Sequence, residues 1–261
     1  MGLASNKLPI LEEFFSFQGE GVNVGVPYYF IRVGGCPLRC NFCDSEYSWT
    51  AKPEQVTDLE FVIAKAIDTC KRYGVKWVSV TGGEPLLYPK QLLAMMAEFK
   101  ANGLLTHIET SGRFYNKDVH AACDLYSPDA KTPCTGEQMT GYFHGLEAMR
   151  DQDQVKCLIS NDADLNYAYR INGILNGRCT MVLQPFNTNI QTDSTVNMSQ
   201  AMADARVTNH IDVATIRNNL SSSLKWLMES YKLRCSQGDS WKRVIITPQI
   251  HVFAYGNKPG T

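Results

Sequence analysis

The chain has 261 residues, of which 44% are hydrophobic and 20% charged, enough for one large α/β domain or two small ones. Its formal net charge of −1 argues against nucleic acid or an anionic membrane as a partner, so a small-molecule ligand is expected. No apolar run approaches the roughly 20 residues of a membrane span, and the polar start carries no secretory signal. Nine cysteines, an odd number, favour a reducing cytoplasm over a disulfide framework.

Strand-like and helix-like segments alternate along the chain. Strands are predicted at residues 28–33, 76–81, 104–109, 155–160, 180–184 and 244–247. Helices are predicted from a Thr57–Glu60 capping box to Gly74, from Pro89 to Gly103 with a Leu/Met stripe facing the core, and over residues 164–175. This alternation predicts a parallel sheet with helices outside and ligands at the carboxyl ends of the strands.

The second half contains a less regular stretch. Residues 186–223 are rich in Asn, Thr and Ser, and only residues 198–206 and 214–228 are moderately helical. We predict one domain over residues 1–261, with an insertion or irregular excursion at 186–223.

Three cysteines stand at C-x3-C-x2-C spacing: Cys36, Cys40 and Cys43. A structural zinc site and a fully ligated four-iron cluster each want four protein ligands, and no fourth cysteine or histidine lies close by. Three thiolates therefore favour a cluster with one open iron. A zinc module remains the alternative, because cysteine clusters at metal-ligand spacing are frequent outside iron–sulfur proteins. The spacing resembles that of the radical S-adenosylmethionine (SAM) enzymes, in which the open iron chelates SAM and an electron cleaves it to a 5′-deoxyadenosyl radical. Cys134, in a later loop, is interpreted as a serine substitute and not as a fourth ligand.

Two further motifs follow predicted strands. Gly82 and Gly83 let the backbone approach a ligand, and Glu84 beside them can receive an ammonium group; in radical SAM enzymes the matching segment receives the amino group of SAM. Glu109 and Ser111 resemble a segment that lies along the SAM ribose. The alternatives are an ordinary turn for the first motif and a strand end with local hydrogen bonds for the second.

A run near the N-terminus sharpens the resemblance. Gln18 and Glu20 lie in a Gln-Gly-Glu-Gly sequence and can hydrogen-bond the edge of a pterin, while Arg32 offers a fork for a carboxylate. With the cysteine, TGGEP and ETSG motifs and a terminal PQ-x-H segment, the chain resembles the 7-carboxy-7-deazaguanine synthase (QueE) family from Leu11 onwards.

That resemblance implies a set of site residues. The cluster ligands are Cys36, Cys40 and Cys43, and Mg²⁺ is held at Ser45. Substrate contacts fall on Phe17, Gln18, Gly19, Glu20, Arg32, Thr81 and the terminal Thr261. SAM contacts fall on Phe42, Cys43, Asp44, Gly82, Gly83, Glu84, Glu109, Ser111, Gln184, Pro185, Phe186 and Asn187.

The segment around Ser127 departs from the family pattern. Many members read Ser-Pro-Lys, whereas Asp129 and Ala130 separate Ser127-Pro128 from Lys131 here. Ser127, Asp129 and Lys131 therefore remain alternatives for the SAM contact. His107 and His251 are interpreted as structural residues.

The resemblance also implies a fold and a reaction. We expect a partial, distorted (β/α)6 barrel, a homodimer and a flavodoxin-like electron donor. The expected reaction contracts the ring of 6-carboxy-5,6,7,8-tetrahydropterin, with loss of ammonia and SAM acting as a cofactor. Another radical SAM enzyme, such as a glycyl-radical activase, is the alternative.

Overall fold

Strands and helices alternate in the computed structural model, which describes residues 4–41, 43–137, 145–186 and 213–255. The strands are β1 (Lys7–Phe17), β2 (Pro27–Val33), β3 (Val56–Asp58), β4 (Trp77–Gly82), β5 (Leu105–Thr110), β6 (Leu125–Pro128), β7 (Gln154–Ile159), β8 (Thr180–Pro185) and β9 (Val244–Ile246). The α-helices are α1 (Leu59–Tyr73), α2 (Pro89–Ala101), α3 (Lys117–Ala122), α4 (Asp162–Leu175), α5 (Val213–Ser236) and α6 (Ile250–Tyr255).

The strands form two sheets that meet edge to edge. Their orders are β3-β1-β2-β4-β5-β6 and β7-β8-β9. Neighbours from β2 to β6 and from β7 to β9 are parallel, whereas β1 is antiparallel to both β2 and β3. One parallel bridge, from Asp129 to Lys156, joins the sheets. Strands β2 and β4 to β8 therefore form the predicted partial barrel.

Side chains reinforce the seam between β6 and β7. Gln154 of β7 donates to the Ser127 hydroxyl of β6 at 2.7 Å, and the Tyr126 backbone N–H donates to Asp153 at 3.1 Å. Both bonds are buried, where a satisfied polar pair is worth most. The seam brings β7 beside the carboxyl ends of the parallel strands of the first sheet.

Helix α1 begins later than its sequence signal predicts. Thr57 pairs with Leu8 in the β1–β3 ladder, so the predicted capping box at Thr57 is wrong and the helix starts after Asp58. The helix ends at Gly74, whose φ of 67° suits glycine and whose N–H donates to the Cys70 carbonyl.

The predicted Leu/Met stripe of α2 is confirmed as core. Leu92, Met95, Met96 and Phe99 are all buried against the sheet. The apolar cluster that contains them also includes Met181 of β8 and therefore spans both sheets. The extent of the single domain, residues 1–261, stays a prediction.

Helix α5 is longer than the sequence pattern predicts. It continues to Ser236, and its Ile216 and Leu220 pack against Val252 of α6. Residues 187–212, which include most of the predicted excursion and the predicted helix at 198–206, lie outside the described residues. In the described ranges, no helix combines the length and apolarity that crossing a bilayer requires.

Candidate active site

A cavity of about 250 Å³ opens at the carboxyl ends of the parallel strands. Residues at the ends of β2, β4, β5, β7 and β8 contribute to its wall, as the strand-end rule for ligand sites predicts. The predicted site residues that line it are Phe17, Gln18, Gly19, Glu20, Arg32, Cys36, Cys40, Cys43, Asp44, Ser45, Thr81, Gly82, Gly83, Glu109, Ser111, Lys131, Gln184 and Phe186.

The three cysteines of the loop after β2 are free and reach this cavity together. The loop is held by its backbone: the Cys36 N–H donates to the Trp49 carbonyl at 3.1 Å, and Arg39 donates to the Cys36 carbonyl at 2.8 Å. Burial raises the pKa of each thiol, and the nearby Lys131 ammonium opposes this at Cys36 and Cys40. A neighbouring cation favours the thiolate form that binds iron.

This donor set fits a cluster held by three cysteines. The Cys134 thiol lies 3.3 Å from the Thr132 hydroxyl, and burial raises its pKa to about 12. Cys134 is not among the residues that line the described part of the cavity. The geometry therefore agrees with the prediction that Cys134 is not a fourth ligand.

Gly82 and Gly83 let the end of β4 lie directly against the cysteine loop. Gly82 has a φ of +129°, and a Cβ atom on it would lie 2.2 Å from the Val33 carbonyl oxygen. A Cβ atom on Gly83 would lie 2.1 Å from the Gly35 carbonyl oxygen. Because backbone cannot yield to such contacts, both positions require glycine.

Glu84 does not face the cavity, contrary to the sequence-based expectation. Its carboxylate is completely buried and accepts from the Leu86 N–H at 2.9 Å, the Thr110 hydroxyl at 2.7 Å and the Ser111 N–H at 3.0 Å. The Ser111 hydroxyl also donates to it. The donors at the end of β5 thus orient the carboxylate into the protein interior. Glu84 links β4 to β5 in this structure instead of facing a ligand ammonium group.

We expect Glu84→Ala to lower the free energy of unfolding by about 3 kcal/mol, since several buried donors lose their acceptor. Urea denaturation of the anaerobically purified protein measures this. Glu60→Ala, at an exposed position of α1, is the matched control. A loss no larger than that of the control would show that the buried carboxylate is dispensable.

Arg32 is held in a single orientation at the cavity wall. Its Nε donates to the Glu12 carboxylate at 3.1 Å, and its guanidinium group lies 5.9 Å from the centre of the Tyr47 ring. No hydrogen bond joins its two terminal nitrogens to any residue in the described ranges. The free edge of the guanidinium group therefore suits a ligand carboxylate.

A network of charged and polar side chains also lines the cavity. Glu109 accepts from Gln18 at 3.0 Å, from Ser79 at 2.9 Å and from Lys156 at 3.2 Å. Lys156 also donates to Glu20 at 2.7 Å. Burial alone would raise the pKa of Glu109, yet Lys156 and the hydrogen bonds hold it at about 2. Glu109, expected on the SAM ribose, thus shares a network with the predicted substrate residues Gln18 and Glu20.

The remaining predicted residues divide into two groups. Ser127 is buried in the seam and Pro185 in the core, and neither lines the cavity, whereas Asp129 and Lys131 both do. Of the three alternatives for the SAM contact, Asp129 and Lys131 thus reach the cavity, and they form an ion pair at 2.8 Å. The other predicted residues lie outside the described ranges: Phe42, Asn187 and Thr261.

Among the cavity residues that were not predicted as site residues are Lys156, Gln249 and His251. A lysine among the apolar residues of the predicted strand at 155–160 was the available signal for Lys156. Gln249 and His251 belong to the PQ-x-H segment, which supported the family resemblance, and His251 was interpreted there as a structural residue. The His251 ring lies so close to Gly19 that a Cβ atom there would be 2.0 Å from its Nδ1.

His107 occupies a structural position beneath the network. It is buried, its Nδ1 lies 3.4 Å from the Gln18 amide nitrogen, and no described residue bonds its Nε2. Burial lowers the pKa of this imidazole to about 4, although Glu109 opposes the shift. The folded protein therefore keeps His107 neutral.

We expect acid to destabilise the protein through His107. As pH falls from about 6.5 to about 4, His107 becomes protonated in the unfolded chain but stays neutral in the folded chain. The free energy of unfolding therefore falls by about 3 kcal/mol over this range. The contribution of His107 to the free energy of unfolding is fully present above pH 6.5. Urea denaturation across this range should show a steeper pH dependence for the wild type than for His107→Gln, and equal slopes would contradict the assignment.

The chain is similar to known radical SAM proteins. A Radical SAM superfamily profile matches residues 30–129. A 7-carboxy-7-deazaguanine synthase of Flavobacterium psychrophilum is 40% identical over 177 residues, 68% of this chain and 76% of that protein. The synthase of Bacillus cereus is 28% identical over 98% of this chain and 99% of its own length. The crystal structure of QueE from Escherichia coli has a TM-score of 0.56 at 24% identity, covers 76% of this chain and 90% of its own, and supports the fold.

The zinc-module alternative is not favoured by these relatives, and the three-cysteine loop lies within the matched Radical SAM region. The chain belongs to the 7-carboxy-7-deazaguanine synthase family of radical SAM enzymes.

Proposed function

We propose that this chain converts 6-carboxy-5,6,7,8-tetrahydropterin to 7-carboxy-7-deazaguanine, with loss of ammonia, in 7-deazapurine biosynthesis. The observation that carries the proposal is one cavity that joins the three-cysteine loop to Gln18, Glu20 and Arg32. The first supplies a site for the cluster and the others can bind a carboxylated pterin. A glycyl-radical activase is not favoured, because the curated relatives are synthases.

The cofactors are a [4Fe–4S] cluster and SAM, which together supply a hydrogen-abstracting 5′-deoxyadenosyl radical when bound. Cys36, Cys40 and Cys43 would hold the cluster. Lys131 suits the SAM carboxylate: burial alone would lower its pKa, but Asp129 raises it, so it stays a cation. The Gln184 amide nitrogen is buried at the cavity without a hydrogen-bond partner among the described residues, which suits a donor to SAM.

The chain's own contribution is to orient the substrate. Arg32, fixed by Glu12, would bind the pterin carboxylate, while Gln18 and Glu20 would contact its ring edge. Holding the target hydrogen about 3–4 Å from the reacting carbon supplies much of the rate enhancement expected of an oriented reaction. The partly enclosed cavity also limits the access of water.

Further parts of the proposal come from the family. We assign Mg²⁺ to Ser45, whose side chain is buried at the cavity, with most ligands supplied by substrate and water. A homodimer, a flavodoxin-like electron donor and a cytoplasmic location complete it. Ser45→Ala should raise the Mg²⁺ concentration needed for half-maximal activity, and analytical ultracentrifugation measures the assembly state.

The test of the reaction is anaerobic. Protein reconstituted with iron and sulfide is incubated with reductant, SAM, Mg²⁺ and 6-carboxy-5,6,7,8-tetrahydropterin, and the products are identified by mass spectrometry. We expect 7-carboxy-7-deazaguanine in excess over the SAM consumed. Cleavage of SAM without this product would overturn the substrate assignment, and a colourless preparation indifferent to SAM would overturn the enzyme class.

A further inference from the structure

The Lys156 ammonium group is buried at the cavity among carboxylates from three other parts of the chain. It lies 2.7 Å from Glu20, 3.2 Å from Glu109 and 3.7 Å from Asp129. Glu20 follows β1, Glu109 ends β5 and Asp129 follows β6, so one side chain of β7 connects the two sheets across the cavity. Neither the sequence motifs nor the proposed reaction assigns Lys156 a role.

The carboxylates on Lys156 in turn orient two amides at the cavity wall. Glu109 accepts from the Gln18 amide nitrogen at 3.0 Å, and Glu20 accepts from the Gln249 amide nitrogen at 2.6 Å. An ionised carboxylate only accepts hydrogen bonds, so each amide must turn its NH2 group towards it. The carbonyl oxygen of each amide is then the atom left for other donors, and the Gln18 oxygen also accepts from the Glu20 N–H at 3.2 Å.

We propose that Lys156 is a positioning residue for substrate recognition: by holding Glu20 and Glu109 as acceptors, it orients Gln18 and Gln249 so that the cavity offers oxygen atoms to the N–H edge of the pterin. This inference rests on the proposed function and deepens it. A pterin edge is rich in N–H donors, and a site built to accept them discriminates strongly against ring systems that lack them.

The charge of Lys156, and not only its bulk, is what this arrangement needs. Burial favours the protonated acid at both carboxylates, whereas the ammonium group keeps the pKa of Glu20 and of Glu109 below the ordinary value. A protonated acid can donate, which would allow the facing amide to turn around. The titratable groups that face this network are Glu20, Glu109, Asp129, His107, His251 and Lys131.

The test is substrate binding without turnover. Isothermal titration of carboxytetrahydropterin into the unreduced, SAM-loaded holoenzyme is compared at pH 6, 7 and 8 for the wild type, Lys156→Met and Lys156→Arg. We expect Lys156→Met to bind about tenfold more weakly or worse, with the loss growing as pH falls. Lys156→Arg should recover much of the affinity and a flat pH profile. Lys225→Met, on the exposed face of α5, is the control and should match the wild type.

Several binding results would contradict the proposed role of Lys156. Unchanged affinity in Lys156→Met, or a loss that is the same at every pH and not recovered by Lys156→Arg, would overturn the proposal. Where Lys156→Met fails to reach wild-type iron content or circular dichroism, Glu20→Gln replaces it, and unchanged pterin affinity there would overturn the proposal too. Pterin binding by a wild type that forms no deazaguanine would defeat the reaction, while the binding data still decide the role of Lys156.

Discussion

Cys40→Ala should reduce reductive SAM cleavage to background. Cys40 is the middle cysteine of the loop and, with Cys36 and Cys43, lines the cavity as a free thiol. With two thiolates left, the cluster loses a ligand and cannot be retained in a form that binds SAM through an open iron. The measurement is 5′-deoxyadenosine formed after anaerobic reconstitution and reduction, together with iron and sulfide content.

Two other cysteines provide controls for that result. Cys235 is exposed at the end of α5, and Cys235→Ala should leave iron content and SAM cleavage unchanged. Cys134→Ser should also retain the cluster, since Cys134 does not line the described cavity. Full SAM cleavage by Cys40→Ala would refute the ligand assignment, and cluster loss in Cys134→Ser would indicate a fourth protein ligand.

The parallel part of the fold was predictable because its signals are local. Strands β2, β4, β5, β7 and β8 contain buried apolar residues and are followed by turns or helices. Their alternation with helices implies a parallel arrangement. Strand β6 was missed because its four residues are too few to show a pattern, although all are buried. Strand β1 was missed because Pro9 and the pair Glu12–Glu13 interrupt its apolar residues.

The site residues also differ in whether their positions follow from local sequence or from long-range contacts. The cysteine spacing lies on one loop, so the sequence alone predicts that Cys36, Cys40 and Cys43 approach each other. Glu84 was expected to face a ligand, but its orientation depends on donors from the end of β5, which only the folded chain brings to it. Lys156 reaches Glu20 across the seam between the sheets, a contact between distant parts of the chain that no local spacing could indicate.

The seam also places residues of both sheets around one cavity. The first sheet provides the cysteine loop after β2 and the glycines at the end of β4, whereas the second provides Lys156 from β7 and Gln184 from β8. Since the sheets share one bridge, the buried side-chain contacts across the seam set their relative position. The network around Lys156 therefore depends on packing between the two sheets, whereas the cysteine loop lies between two strands of the first sheet.

Arg32→Ala should separate substrate binding from SAM chemistry. A charge-assisted pair between Arg32 and the pterin carboxylate is worth about 1.5–3 kcal/mol, so we expect the KM for the pterin to rise by about tenfold to a hundredfold. Uncoupled SAM cleavage should persist, because Arg32 lies on β2 before the cysteine loop and contacts Glu12 and Tyr47 instead of the thiols.

Arg32→Lys distinguishes a charge effect from a geometric one. Lysine keeps the positive charge but cannot both bond Glu12 through Nε and present a planar fork to the substrate, so it should restore less than half of the lost binding free energy. Arg72→Ala is the matched control, because Arg72 lies at an exposed position of α1 and pairs with Asp68. This variant should keep the wild-type KM. Because the guanidinium group is anchored by Glu12, Glu12→Gln should raise the KM in the same direction but to a smaller extent. A KM unchanged in Arg32→Ala would remove Arg32 from the substrate site. Loss of SAM cleavage together with pterin binding would instead indicate that Arg32 stabilises the cysteine loop.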